Sequence, residues 1–235
     1  MDGLPTENWR RPIARLIGQK GICGAGVLAA PGHVVTCAHV VRGALAAGSQ
    51  PECGKSEISL DFPFAGLGER KATLVAWYPE DASKDVTLAD LAVLLIDGPP
   101  GVAPCPPVPH NRPPRADMQF EAWGFPVKYD GGARAEGRMR ETDGDRGWLD
   151  VVADSELGHF IEPGFSGAPL FERGPKGVTQ TAMLGIAVTA DPSSRRVARV
   201  IPAAQVAAAT LPYHTAPCSP PQPRTEFFSW PERAY

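Results

Sequence analysis

A chain of 235 residues with 43% apolar content is long enough to bury the core of one large all-β unit or two small domains. Its 26 prolines and 25 glycines, set between short apolar runs, favour many strands and turns over long helices. A net charge of −3 implies no basic face for nucleic acid, and no apolar run is long enough to span a bilayer. The N-terminal stretch MDGLPTENWRRPIARLIGQKG lacks both the apolar core and the cleavage site of a signal peptide. The five cysteines, Cys23, Cys37, Cys53, Cys105 and Cys218, are odd in number and irregularly spaced. They read as reduced thiols of a cytoplasmic protein, and without a C-x-x-C pair no structural zinc is expected.

The first ten or so residues are polar and are expected on the surface. RPIARLIG and GICGAGVLAAPGHVVTCAHV then supply strands, with a hairpin-type turn at Pro31-Gly32. GICGAG invites a dinucleotide reading, but the spacing is wrong and no helix follows, so it is a closely packed strand. EISLDFPF, RKATLVAWYP and LADLAVLLID give three more strands. Eight prolines between Gly98 and Arg115 rule out a central strand or helix there, and the stretch reads as an extended connector between two halves of one fold.

The second half restarts with MQFEAWGFP. The Gly- and charge-rich stretch Asp130 to Arg146 reads as a solvated loop. GWLDVVADS, GAPLFERG, TAMLGIAVTA and RRVARVIP are again short strands. The one convincing helix is Pro202 to Leu211, with Pro202 suited to its first turn and alanines in its interior. From Pro212 the chain is a Pro-rich linker-like tail, as if it leads into a longer protein. Strands, connector, strands and terminal helix fit two small antiparallel barrels or sandwiches. One folded unit over residues 1–211 is expected, with halves at about 10–104 and 116–201 and a tail at 212–235.

His39 follows a strand-forming run, VVTC, where the chain must turn. Alone it reads as a half-buried histidine bonded to backbone. The second half, however, carries EPGFSGAP, in which Ser166 is flanked by Gly164 and Gly167. Glycines there let backbone N–H groups converge beside a hydroxyl. A serine hydroxyl is a poor nucleophile without a base to take its proton and donors to hold the developing oxyanion. His39 is a suitable base near neutral pH. Asp90, at the head of the apolar run LAVLLI, would be costly to bury unless it faced the second ring nitrogen of that histidine. Asp85 is its nearest rival.

VVTCAHV, DLAVLLI and PGFSGAPLF, in the order His, Asp, Ser, resemble the trypsin/chymotrypsin-like serine peptidase superfamily over about Ile17 to Leu211. The resemblance implies an all-β fold of two six-stranded antiparallel β-barrels with a short C-terminal helix. It implies His39 as general base, Asp90 as orienting acid and Ser166 as nucleophile, with the backbone N–H groups of Gly164 and Ser166 as the oxyanion hole. It places Gly185 to Ala190 on the strand that lines the specificity pocket, with Val188, Thr189 and Ala190 contacting substrate, and Phe160 near the pocket base. No metal or cofactor is implied, and the partners would be a protein or peptide substrate and a regulatory domain or partner protein.

The chain departs from the digestive members of that superfamily. Phe165 stands where an acid normally binds the new N-terminus after activation cleavage, and no cleavage motif precedes the first strand. This likens the chain to bacterial, HtrA-type members. Val40 replaces the usual cysteine after the histidine, which leaves Cys23 a free thiol. Phe160 in place of an acid argues for a small or medium apolar residue at the cleavage site. Placement at the N-terminus of a bacterial signalling or defence protein is an expectation by analogy. The rival reading is a silent module of the same fold that binds a peptide without cutting it. His33, His110, His159 and His214 are expected at the surface, His159 near the pocket rim.

Overall fold

The computed structural model describes residues 8–80, 88–107, 113–140, 147–154, 159–174, 179–188 and 197–213. The first half supplies β1 (Ile13–Gly18), β2 (Gly21–Ala30), β3 (His33–Cys37), β4 (Glu57–Phe62), β5 (Leu67–Tyr78) and β6 (Leu91–Ile96). The second supplies β7 (Gln119–Gly124), β8 (Ala133–Arg140), β9 (Leu149–Ala153), β10 (Pro169–Arg173), β11 (Thr179–Val188) and β12 (Val197–Pro202). Each set closes into an antiparallel barrel, in the orders β1-β2-β3-β6-β5-β4 and β7-β8-β9-β12-β11-β10. The two orders are the same, so the two-half pattern of the sequence is one topology used twice. Closure removes the free sheet edges that an open six-stranded sheet would expose.

The barrel interiors hold the core. Val27, Val35, Leu60, Leu74 and Val93 are fully buried in the first, and Phe120, Val151, Leu170, Ile186 and Val200 in the second. Each such side chain contributes roughly 1.5–3 kcal/mol relative to exposure. The connector after β6 bridges the two barrels. Cys105 donates its backbone N–H to Leu28 of β2 (2.7 Å), and Pro106 accepts from Met183 of β11 (2.9 Å).

Five expectations need correction. From Arg134 to Arg140 the stretch is no solvated loop: β8 occupies Ala133–Arg140, with Ala133, Ala135, Gly137 and Met139 turned inward, and residues 141–146 lie outside the described residues. Its outward arginines pair with acids, Arg134 with Glu121 (2.8 Å) and Arg138 with Asp154 (2.6 Å). A seven-residue helix, α1 (Ala38–Ala44), carries His39, where only a turn was anticipated. Pro202 ends β12 and stands as the N-cap of α2 (Ala203–Thr210) rather than within its first turn. His33 is buried, because Tyr213 stacks on it at 4.4 Å, and its ring donates from Nδ1 to the Pro31 carbonyl (2.7 Å). Likewise the N-terminal segment docks onto the fold from residue 9: Trp9 meets Phe171 edge-on at 4.8 Å. His110, His214, Asp85 and the tail from residue 214 lie outside the described residues.

Candidate active site

The first barrel brings His39 and Asp90 together. β3 and β6 pair from His33–Leu95 to Cys37–Leu91, so the end of β3 lies beside the start of β6. Asp90, just before β6, has φ +53°, a left-handed conformation that Asp tolerates better than most residues. This turn delivers two acceptors to the start of α1. The Asp90 carbonyl receives the Ala38 N–H (3.1 Å), and Oδ1 receives the His39 N–H (3.0 Å). The Cys37 side chain forms no cap, so Asp90 satisfies first-turn donors that would otherwise be orphaned.

The same carboxylate receives the imidazole. His39 Nδ1 lies 2.8 Å from Oδ2 and 3.1 Å from Oδ1. With Nδ1 donating to the carboxylate, Nε2 is the acceptor nitrogen of the ring. Asp90 is fully buried, whereas the His39 side chain retains 31% exposure, so the ring spans the protein interior and the solvent. Burial expected to be partial is therefore complete, and it is compensated by accepted hydrogen bonds.

The Ser166 turn is built by the second barrel and seated on the first. Phe165 donates its N–H to the Glu162 carbonyl (2.9 Å), with Pro163 and Gly164 between them and Gly164 at φ +104°. This is a type II turn, with proline and glycine at the positions that favour them. The Gly164 carbonyl accepts from Phe125 (2.9 Å), and its N–H has no hydrogen-bond partner among the described residues. A Cβ at Gly164 would strike the Phe125 carbonyl oxygen and lie 2.6 Å from the Pro126 Cα. Ser166 itself is 3% exposed, and its carbonyl accepts the Ala25 N–H of β2 (2.8 Å).

Two glycines permit this contact between barrels. A Cβ on Gly24 would lie 2.9 Å from both the Ser166 carbonyl oxygen and a Val40 methyl, so the serine turn passes directly beside the residue after His39. A Cβ on Gly167 would collide with the Ala25 carbonyl and lie 2.5 Å from Thr36 Oγ1. The Ala187 carbonyl of β11 then accepts both the Gly167 N–H (2.8 Å) and the Cys37 thiol (3.3 Å). Thr36 and Cys37 thus support the serine turn from β3, a role that nothing in the run VVTC announces.

Phe165 is fully buried, and a Cβ on Gly124 would lie 2.5 Å from its ring. An aromatic plug therefore fills the place where activatable relatives keep an acid, which fits the HtrA-type resemblance. Phe160 is buried at 7% exposure and Val188 at 6%, the latter at the end of β11. Thr189 and Ala190 lie outside the described residues. His159 is half-buried, its Nδ1 2.6 Å from Glu162 Oε1, and Tyr129 meets it edge-on at 4.3 Å.

Cys37, His39 and Asp90 place one donor atom each within 4.8 Å of one another, an arrangement that could suggest a metal site. The Cys37 thiol is engaged elsewhere, donating to the Ala187 carbonyl, and burial, and next the charge of Asp90, push it well above its ordinary range. Among the described residues Cys23, Cys37, Cys53 and Cys105 form no disulfide.

Two closed six-stranded antiparallel barrels of one topology are the chymotrypsin-like fold. The chain belongs to the trypsin-like peptidase domain family, whose model matches residues 24–177, and it is a serine protease of that class. No curated protein matches it. Among solved structures it is similar to the Rv3671c protease of M. tuberculosis in its inactive form (21% identity, TM-score 0.58, covering 89% of this chain and 90% of that one). It is also similar to a serine endoprotease of Yersinia pestis (20%, 0.60, 89% and 67%) and to the MamO protease domain of Magnetospirillum magneticum (16%, 0.60, 86% and 97%). At these identities the likeness is one of fold.

Proposed function

We propose that the chain is an endopeptidase acting on proteins or peptides through Ser166, His39 and Asp90. His39 Nε2 takes the Ser166 hydroxyl proton as Oγ attacks the scissile carbonyl carbon. The resulting oxyanion is held by the backbone N–H groups of Gly164 and Ser166. His39 returns the proton to the leaving amine, the C–N bond breaks, and an acyl-enzyme remains on Ser166. Water, deprotonated by the same imidazole, attacks the acyl carbon, the bond to Oγ breaks, and His39 returns the proton to Oγ as the acid product leaves. Asp90 holds the ring in the required tautomer and stabilises the transient imidazolium. Phe160, Val188, Thr189 and Ala190 are proposed to line an apolar specificity pocket.

The observation that carries this reading is the geometry at His39. Its Nδ1 is fixed on a buried carboxylate, and the Ser166 turn is seated on β2 beside Val40. The free thiols support a cytoplasmic location. Among the described residues no helix is long and apolar enough to cross a membrane. Control by a further domain or partner, within a larger bacterial signalling or defence protein, completes the proposal. The Rv3671c protease, known in inactive and active forms, is a precedent for a switchable member of this fold.

A fluorescent fluorophosphonate tests the reading on wild type and Ser166→Ala. Labelling of wild type alone, with the adduct mapped to the peptide holding Ser166, is the expected result. Equal labelling of Ser166→Ala would remove Ser166 from its role. Folded wild type that never labels but still binds peptide would favour a silent binding module.

A further inference from the structure

The oxyanion turn has no charged anchor at Phe165, which is apolar and fully buried. Something else must hold the turn. Its floor is the loop at residues 125–132, because Gly164 gives its carbonyl to the Phe125 N–H and lies against Pro126. That loop is poorly suited to hold itself. Tyr129 donates to the Pro126 carbonyl (2.9 Å), which puts Lys128 at φ +75° in a turn position that prefers glycine. Val127 and Tyr129 are 81% and 48% exposed, so the tip has little apolar burial.

The loop is instead clamped by the first barrel. Arg15 of β1 donates from Nη1 to the Asp130 carbonyl (2.6 Å). The remaining face of the guanidinium is fixed by Asp61 of β4, Nε to Oδ1 at 3.0 Å and Nη2 to Oδ2 at 2.5 Å. Arg15 and Asp61 are direct partners on the seam that closes the first barrel, so the fork cannot swing away. Its carbon lies 5.9 Å from the Phe125 ring, and Phe64, just after β4, stacks on the same ring at 5.9 Å.

We infer that Arg15 is a positioning residue for the oxyanion turn, clamping the 125–132 loop so that Phe125 holds the Gly164 carbonyl and the Gly164 N–H faces the reacting oxygen. The inference rests on the roles proposed above for Gly164 and Ser166. Arg15→Met keeps the apolar stem and removes the donors. With a fluorophosphonate probe its limiting labelling rate is expected to fall about 10-fold or more, as for partial loss of an oxyanion donor, with half-saturation within about twofold of wild type. Arg15→Lys, with one cation to share between two acceptors, is expected to fall between them. Amide exchange is expected to rise in peptides covering 119–132 and 160–168.

Unchanged labelling by Arg15→Met overturns the inference. So does faster exchange confined to β1 and β4, which would mark a seam residue and nothing more. Were wild type itself to resist labelling, the Ser166 role would fall, and exchange at 160–168 alone would still decide for or against Arg15.

Discussion

His39 donates to Asp90 twice, from its backbone N–H to Oδ1 at 3.0 Å and from its ring Nδ1 to Oδ2 at 2.8 Å. One buried carboxylate therefore both caps the start of α1 and fixes the imidazole. Asp90→Asn separates these tasks. The amide oxygen can still accept the His39 N–H, and asparagine tolerates the left-handed φ of +53°. The amide NH2, however, would face Nδ1 and force the ring proton onto Nε2, so the base could no longer accept one. We expect labelling by fluorophosphonate to fall by roughly 10⁴-fold, as in comparable triads, with the thermal midpoint little changed. A variant that labels at the wild-type rate would take Asp90 out of the mechanism.

The positions of His39, Asp90 and Ser166 were legible because each adjoins a strand whose apolar run is unmistakable in the sequence. The supports around them were not. In β8 the inward side chains are Ala133, Ala135, Gly137 and Met139, too small and too interleaved with arginine to read as a core strand. The α1 helix, AHVVRGA, contains two β-branched valines and no capping side chain of its own. Its cap comes from Asp90, 51 positions beyond His39. Arg15 is more remote still, since its partners lie 46 and 115 positions away. No local pattern marks a residue whose role is set only when two barrels close and meet. The oxyanion turn lies between these cases. Pro163-Gly164 announces a turn, but only the φ of +104° and the contact with Phe125 give it direction.

That contact makes Gly164 sensitive to a single methyl. Gly164→Ala would need positive φ and would press its Cβ into the Phe125 carbonyl, so the Pro163–Gly164 peptide must rotate. Rotation withdraws one donor from the proposed oxyanion site. We expect labelling to slow by about 10²–10³-fold with circular dichroism unchanged. Labelling at the wild-type rate would show that the Gly164 N–H is not used.

Phe165 is expected to matter for stability before anything else. It is fully buried against Gly124, and its removal leaves a cavity beneath the serine turn. Urea unfolding of Phe165→Ala should show a loss of about 3–5 kcal/mol. Phe165→Leu, which refills part of the volume, should recover most of it. A loss below about 1 kcal/mol for the alanine variant would mean that the site collapses freely and the plug is not structural.

The connector gives a prediction in alkaline solution. Burial raises the Cys105 thiol from its ordinary 9.0 to about 12, while its backbone N–H ties the connector to Leu28. The unfolded chain loses the thiol proton near pH 9 and the native chain keeps it. The stability this group contributes is therefore fully present below pH 9 and declines as pH rises toward 12. The slope is at most about 1.4 kcal/mol per pH unit per thiol. Cys37 is shifted in the same direction and adds to the decline. Cys105→Ala removes the Cys105 contribution while leaving the backbone bond in place. Its denaturation midpoint should fall less steeply than that of wild type between pH 9 and 11. Parallel slopes would mean that the Cys105 thiol titrates in the native protein as freely as it does when unfolded.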